Sequence, residues 1–105
     1  MAWMFLLIAG GLEVAWATGL KRLGIDFSLS LGALTLLAMV GSLVTLYLAM
    51  ARLPLGIAYP IWTGIGSVGS VVVGVLLFQQ VLTVSTVVGV SLLVLGMIIL
   101  GANAH

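Results

Sequence analysis

Glu13 is the residue of this sequence whose type and position most clearly indicate chemistry, because it is the only ionisable side chain between residues 2 and 19. At about 1.5 Å of helix per residue, it lies roughly 16 Å along an apolar helix that begins at Ala2. This depth is near the midplane of a hydrocarbon layer about 30 Å thick. A carboxylate there should face a bundle interior or a wet cavity, as ionisable residues on ion and substrate pathways do. The alternative is a structural glutamate that only holds helices together.

Aromatic residues are expected around this carboxylate. Glu13 and Trp16 are three residues apart and share a helix face, with Gly10 one turn earlier. Tyr59 and Trp62 repeat the spacing in a later apolar segment. Aromatic faces beside a carboxylate suit an organic cation, since each dry cation–π contact contributes up to about 2 kcal/mol. The alternative is an interfacial aromatic belt, but Trp16 and Trp62 lie several residues inside their segments.

Gly64, Gly66 and Gly69 match the dinucleotide-binding pattern G-x-G-x-x-G. That motif requires a preceding strand and an acidic residue about 20 positions later, and neither is present in this apolar segment. The three glycines instead predict a hinge or a surface for close helix packing.

A stripe of small residues follows in the last apolar segment, where Ser85, Gly89, Leu92 and Gly96 recur at the spacing of a helix packing seam. Small residues let helices approach closely in lipid. Because four short helices make a poor enclosed cavity, this stripe predicts a contact with a second copy of the chain.

Four apolar segments must position these residues, and they occupy approximately residues 2–20, 29–51, 56–78 and 84–101. Apolar residues make up 64% of the chain and charged residues 5%, against about 25% charged in soluble proteins. The sequence therefore predicts one all-α, integral membrane domain over residues 1–105, with the lipid bilayer as its solvent. Ser42 lies near the middle of the second segment, where its hydroxyl would either support the carboxylate or simply pack.

Several classes of function are disfavoured. The chain has no cysteine and only three basic residues, so we expect no thiolate chemistry and no nucleic-acid partner. No nucleophile–base pair or metal-ligand cluster is visible, so we expect neither an enzyme nor a metal or other cofactor. His105, in a tail expected to fray, has no companion ligand. Loops one and three carry Lys21 and Arg22 against Arg52 in loop two, a bias too weak to fix one orientation.

The chain resembles the small multidrug resistance transporters, and among them the guanidinium-exporter subtype, over essentially its whole length. The resemblance is carried by residues 10–17 (GGLEVAWA) with Lys21, by residues 53–59 (LPLGIAY), by residues 61–66 (IWTGIG), and by Gly89 and Gly96 enclosing Leu92 and Leu93. The last group is similar to the family's dimerisation segment. Glu13 and Trp16 together with residues 61–64 are the part that indicates guanidinium.

This resemblance implies an antiparallel homodimer, in which two copies are inserted in opposite orientations in the cell inner membrane. It also implies proton-coupled antiport by alternating access, with protons and one guanidinium-type cation competing for the paired Glu13 carboxylates. Residues lining that site would be Gly10, Trp16, Ser42, Tyr59 and Trp62. The alternatives are a quaternary-ammonium exporter of the same family and a membrane assembly protein that transports nothing.

The sequence departs from the family pattern at three places. Pro60 stands where relatives usually have alanine, and it predicts an irregular start of the third helix near Tyr59. Residues 79–81 (QQV) replace a loop that usually carries charge and proline, and Gly101 stands where many guanidinium exporters have lysine. None of these positions touches the glutamate.

Overall fold

The computed structural model describes residues 1–103, so His105 and the end of the predicted frayed tail lie outside the described residues. Four helices follow one another: α1 Ala2–Ile25, α2 Leu29–Met50, α3 Leu55–Leu77 and α4 Val84–Ala102. Each is long and apolar enough to cross a membrane. The structure therefore confirms the predicted all-α architecture, with four helices that are able to cross a membrane.

α1 is longer than the sequence suggests, and α3 is more regular. α1 continues past residue 20 to Ile25, so Lys21 and Arg22 lie in its last turns. α3 runs without a break from Leu55 to Leu77 and includes Pro60, so the predicted irregular start is wrong. Proline in the second turn removes one backbone donor, and the rest of α3 continues beyond it.

The core lies between α1, α2 and α3. Its buried side chains include three alanines that are wholly inaccessible, Ala9, Ala49 and Ala58. Leu6, Leu46, Ile57, Ile61 and Trp62 complete this buried cluster. Small residues at the centre allow the helix backbones to approach closely, which is the main source of helix association in lipid.

α4 stands apart from this core. Among the helices of residues 1–103, its backbone packs only against α3, and none of residues 84–102 is fully buried. The chain consequently forms a slab of 44 × 35 × 16 Å. α3 lies between α1 and α4, and the grooves on its two sides carry the features described next.

Candidate functional site

Glu13 lies at the middle of α1 and its half-buried side chain points toward α3. Gly66 of α3 faces it so closely that a Cβ at position 66 would collide with the carboxylate. The carboxylate oxygen Oε1 is inaccessible and has no hydrogen-bond partner among the described residues. A buried acceptor without a donor is costly, so this oxygen would be stabilised by a proton, or by a cationic ligand once the side chain turns to expose it.

The carboxylate opens into a groove between α1 and α3 of about 330 Å³, which we call the Glu13 groove. Its lining consists of Glu13, Trp16, Ala17, Thr63, Gly66, Ser67 and Ser70. Since one water takes about 30 Å³ of liquid volume, the groove has room for a small organic cation together with several waters. Trp16, predicted beside the glutamate, is among the lining residues.

Hydroxyl groups supply further acceptors along this groove. The Thr63 hydroxyl donates to the carbonyl oxygens of Tyr59 at 3.0 Å and Pro60 at 3.1 Å. The Ser67 hydroxyl donates to the Thr63 carbonyl at 2.7 Å. Because each hydroxyl proton is already engaged, the oxygen lone pairs remain free to accept. The groove therefore offers acceptors to a ligand that carries donors, beside the Trp16 indole N–H, which is buried and has no hydrogen-bond partner among the described residues.

Ser42 and Trp62 lie behind the groove, where they hold three helices together. The Ser42 hydroxyl donates to the Ala9 carbonyl of α1 at 2.7 Å. The Trp62 indole N–H lies 3.2 Å from the same carbonyl and 3.0 Å from Ser42 Oγ. In an α-helix the carbonyl of residue 9 accepts the amide of residue 13. This network therefore fixes the turn of α1 that carries Glu13.

Tyr59 and Gly10, also predicted to line the site, lie at its borders. The Tyr59 ring meets Trp62 edge-on, with centroids 5.3 Å apart and planes inclined by 65°, and it is 49% exposed. Gly10 lies against Ile65, whose side chain occupies the space that a Cβ at position 10 would need. In the single chain, Tyr59 thus contacts Trp62 and Gly10 contacts Ile65, and neither residue lines the Glu13 groove.

The other glycines of α3 also lie at helix contacts. A Cβ at Gly69 would collide with Val14 of α1, and one at Gly64 with Met97 of α4. These contacts agree with the predicted surface for close helix packing. Together with Gly66, they set the separation of α3 from both neighbouring helices.

A second groove of about 480 Å³ lies between α3 and α4. It includes the four residues predicted to form a dimer contact, Gly89, Leu92, Leu93 and Gly96. Thr63 and Ser67 line this groove and also the Glu13 groove. The groove of the predicted contact residues and the Glu13 groove therefore adjoin each other at Thr63 and Ser67.

Thr63, Ser67 and Ser70 line the groove but are neither ionisable nor aromatic, so the sequence analysis does not include them among the site residues. Their positions, together with Gly66, follow the spacing i, i+3, i+4 and i+7 of one helix face. The sequence pattern that indicates these residues is a stripe of polar and small side chains on an otherwise apolar helix. Such a stripe indicates the side of a membrane helix that does not face lipid.

Comparison with known proteins agrees with this architecture. The family model described as Small Multidrug Resistance protein matches residues 1–93. A guanidinium exporter of Salmonella typhimurium strain LT2 is 45% identical over 105 residues, covering the whole of both chains. Guanidinium exporters of Citrobacter freundii and Escherichia coli O6:H1 are 42% identical, again over 105 residues and the whole of both chains.

The chain belongs to the small multidrug resistance family. Its four apolar helices and its membership of this transporter family make it a multi-pass membrane transport protein. Relatives with this degree of identity are transporters by name, which is consistent with the expectation that the chain is not an enzyme.

Proposed function

We propose that this protein exports guanidinium and small substituted guanidinyl cations across the cell inner membrane in exchange for protons. The observation that carries the proposal is the Glu13 carboxylate, which lines a groove together with the hydroxyl oxygens of Thr63 and Ser67. The names of the full-length relatives support a guanidinium-type substrate. A guanidinium-type cation requires a carboxylate and further hydrogen-bond acceptors.

Guanidinium chemistry matches the groove in three respects. The cation is planar, offers N–H donors in parallel pairs that fit a carboxylate bidentately, and has no acceptor. With its side chain turned so that both oxygens face the groove, Glu13 would take one such pair, while the spare lone pairs of Thr63 and Ser67 would accept remaining donors. Trp16 offers an aromatic face, which stabilises a cation further when water is excluded.

Exchange with protons follows from competition for the same carboxylate. The cation is held by ionised Glu13, and a proton neutralises that charge and releases the cation. Each conversion between the inward-facing and outward-facing states would then carry one ligand or the other. If two protons enter for each monovalent cation that leaves, one net charge moves inward, driven by about 2.3 kcal/mol per 100 mV.

The proposed working unit is an antiparallel homodimer. The Glu13 groove lies between α1 and α3, and Thr63 and Ser67 connect it to the groove between α3 and α4. A second copy packed on Gly89, Leu92 and their neighbours would cover both grooves and bring two glutamates together. The weak charge bias of the loops is compatible with insertion in both orientations.

Currents recorded from proteoliposomes on a solid-supported membrane test the proposal. Adding guanidinium should give a transient current, and Glu13→Gln should abolish it while the protein still elutes as a folded dimer. Currents with tetraalkylammonium but none with guanidinium would assign the quaternary-ammonium alternative. Normal exchange by Glu13→Gln would contradict a role for this carboxylate in transport.

A further inference from the structure

A second cavity meets the Glu13 groove between α1 and α3. It has a volume of about 320 Å³ and shares the lining residues Ala17 and Ser70 with that groove. The remaining lining residues are Thr18, Lys21, Val73, Gly74, Phe78 and Gln80. The cavity thus extends from the level of Ser70 to the ends of α1 and α3, where loops one and three begin.

Loop three folds back over the outer end of this cavity. The backbone amides of Phe78 and Gln80 both donate to the Gly74 carbonyl, at 3.2 and 2.9 Å. The side-chain amide of Gln80 lies where a Cβ of Gly74 would be. The Arg22 guanidinium stands 5.9 Å from the centre of the Phe78 ring. Loop three is therefore held against the end of α1, with Gln80 and Lys21 both lining the cavity.

The lining is polar at each level along this cavity. Ser70 stands at the junction with the Glu13 groove, Thr18 follows, and Lys21 and Gln80 lie at the outer end. The Thr18 hydroxyl donates to the Val14 carbonyl at 2.7 Å, so its oxygen remains free to accept. Hydroxyl, amide and ammonium groups in a membrane-spanning region mark a path for water and ions.

We propose that this cavity is the aqueous passage between the Glu13 groove and the membrane face of loops one and three. Lys21 is the single charged side chain of its lining, so its ammonium group makes the passage less favourable to cations than to neutral molecules and anions. Use of the passage by substrate cations rests on the function proposed above. The proposal that water enters the passage does not depend on that function.

The chain offers an unusually clean test because it contains no cysteine. Ser70 lies seven residues before the end of α3 at Leu77, and Ser91 lies seven residues after the start of α4 at Val84. Those two helix ends are joined by loop three, so both serines lie about 10 Å from the same membrane face. Ser91 lines a groove of aliphatic side chains. It is therefore a control of matched depth.

The experiment compares Ser70→Cys with Ser91→Cys in the full-length protein in detergent, where both membrane faces are open to solution. Each is treated with a cationic trimethylammonium-ethyl or an anionic sulfonatoethyl methanethiosulfonate, which react with thiolates. We expect Ser70→Cys to react faster by roughly two orders of magnitude, because charged groups are excluded from an apolar environment. Adding Lys21→Gln to Ser70→Cys should raise the ratio of cationic to anionic rates by about fivefold, because removing a unit charge roughly 8–10 Å away in water raises the cationic rate and lowers the anionic rate by about twofold each.

Equal, slow labelling of the two variants would overturn the passage, provided that exposed Ser30→Cys reacts fast and all variants elute as folded protein. A rate ratio that Lys21→Gln leaves unchanged would overturn the role given to this ammonium group. Guanidinium currents from the cysteine-free chain, measured in parallel, test the proposed function separately. Rapid labelling of Ser70→Cys without any guanidinium current would refute that function and leave the passage standing.

Discussion

The Glu13 carboxylate of α1 occupies the space that a side chain at Gly66 of α3 would need. The glycine therefore gives the carboxylate its position in the groove as well as allowing the two helices to approach. Rotation of α1 to relieve an added methyl group is opposed, because Ser42 of α2 and Trp62 of α3 both hydrogen-bond to the Ala9 carbonyl of α1.

Gly66→Ala should consequently move the carboxylate and weaken guanidinium binding. Misplacing a binding group by about 1 Å costs roughly 100-fold, and we expect a loss of that order in affinity, measured by titration of the purified protein. Gly11→Ala in α1 is the control, because a Cβ there meets nothing within 4 Å. Equal affinities for the two variants would show that the carboxylate does not depend on this space.

Trp62→Phe tests the network behind the groove, since it keeps a six-membered aromatic ring and removes the five-membered ring that carries the indole N–H. We expect it to lower the free energy of unfolding by about 1–3 kcal/mol, because the cavity left by the smaller ring adds to the loss of the hydrogen bond. Denaturant titration in detergent measures the change. The effects of Trp62→Phe and Ser42→Ala should not add, because both groups share the Ala9 carbonyl. Strict additivity would mean that the two side chains act independently, and Trp3→Phe at the exposed end of α1 should change little.

Guanidinium affinity should depend on pH with a defined sign. Lower pH favours the protonated carboxylate, which no longer attracts the cation, so the apparent Kd should rise as pH falls. Where one proton competes, the rise approaches about tenfold per pH unit. Binding titrations across pH measure the slope. Asp26→Asn, which changes the exposed acid of loop one, should keep the slope, whereas a wild-type Kd independent of pH would exclude competition.

Gly96→Leu tests the proposed contact with a second copy. A Cβ at Gly96 meets nothing within 4 Å in its own chain, so the folded single chain should tolerate the change. We expect the dimer fraction in cross-linking to fall strongly, because bulk at a small-residue seam prevents close helix approach. Gly32→Leu in α2, where a Cβ also has open space, is the control. Unchanged cross-linking of Gly96→Leu would place the contact on another surface.

The sequence predicted the four helices and the position of Glu13 because both depend on composition and depth alone. It did not predict that Ser42 and Trp62 lie behind the groove, because that depends on how each helix is rotated. In a soluble helix, the boundary between polar and apolar faces indicates the rotation. Here nearly every face is apolar, and only sparse residues such as Thr63, Ser67 and Ser70 distinguish one side of α3 from another.

The placement of the Ser70 passage toward a single membrane face has a consequence for directionality. In the proposed pair of oppositely inserted copies, the passage of one copy would lead to the cytoplasm and that of the other to the exterior, and alternating access requires that only one of them be open in each state. Every substitution in the chain would then alter both sides of the membrane at once. No such change could turn the transporter into a one-way valve, so the direction of net flow would be set by the ion gradients and the voltage across the membrane.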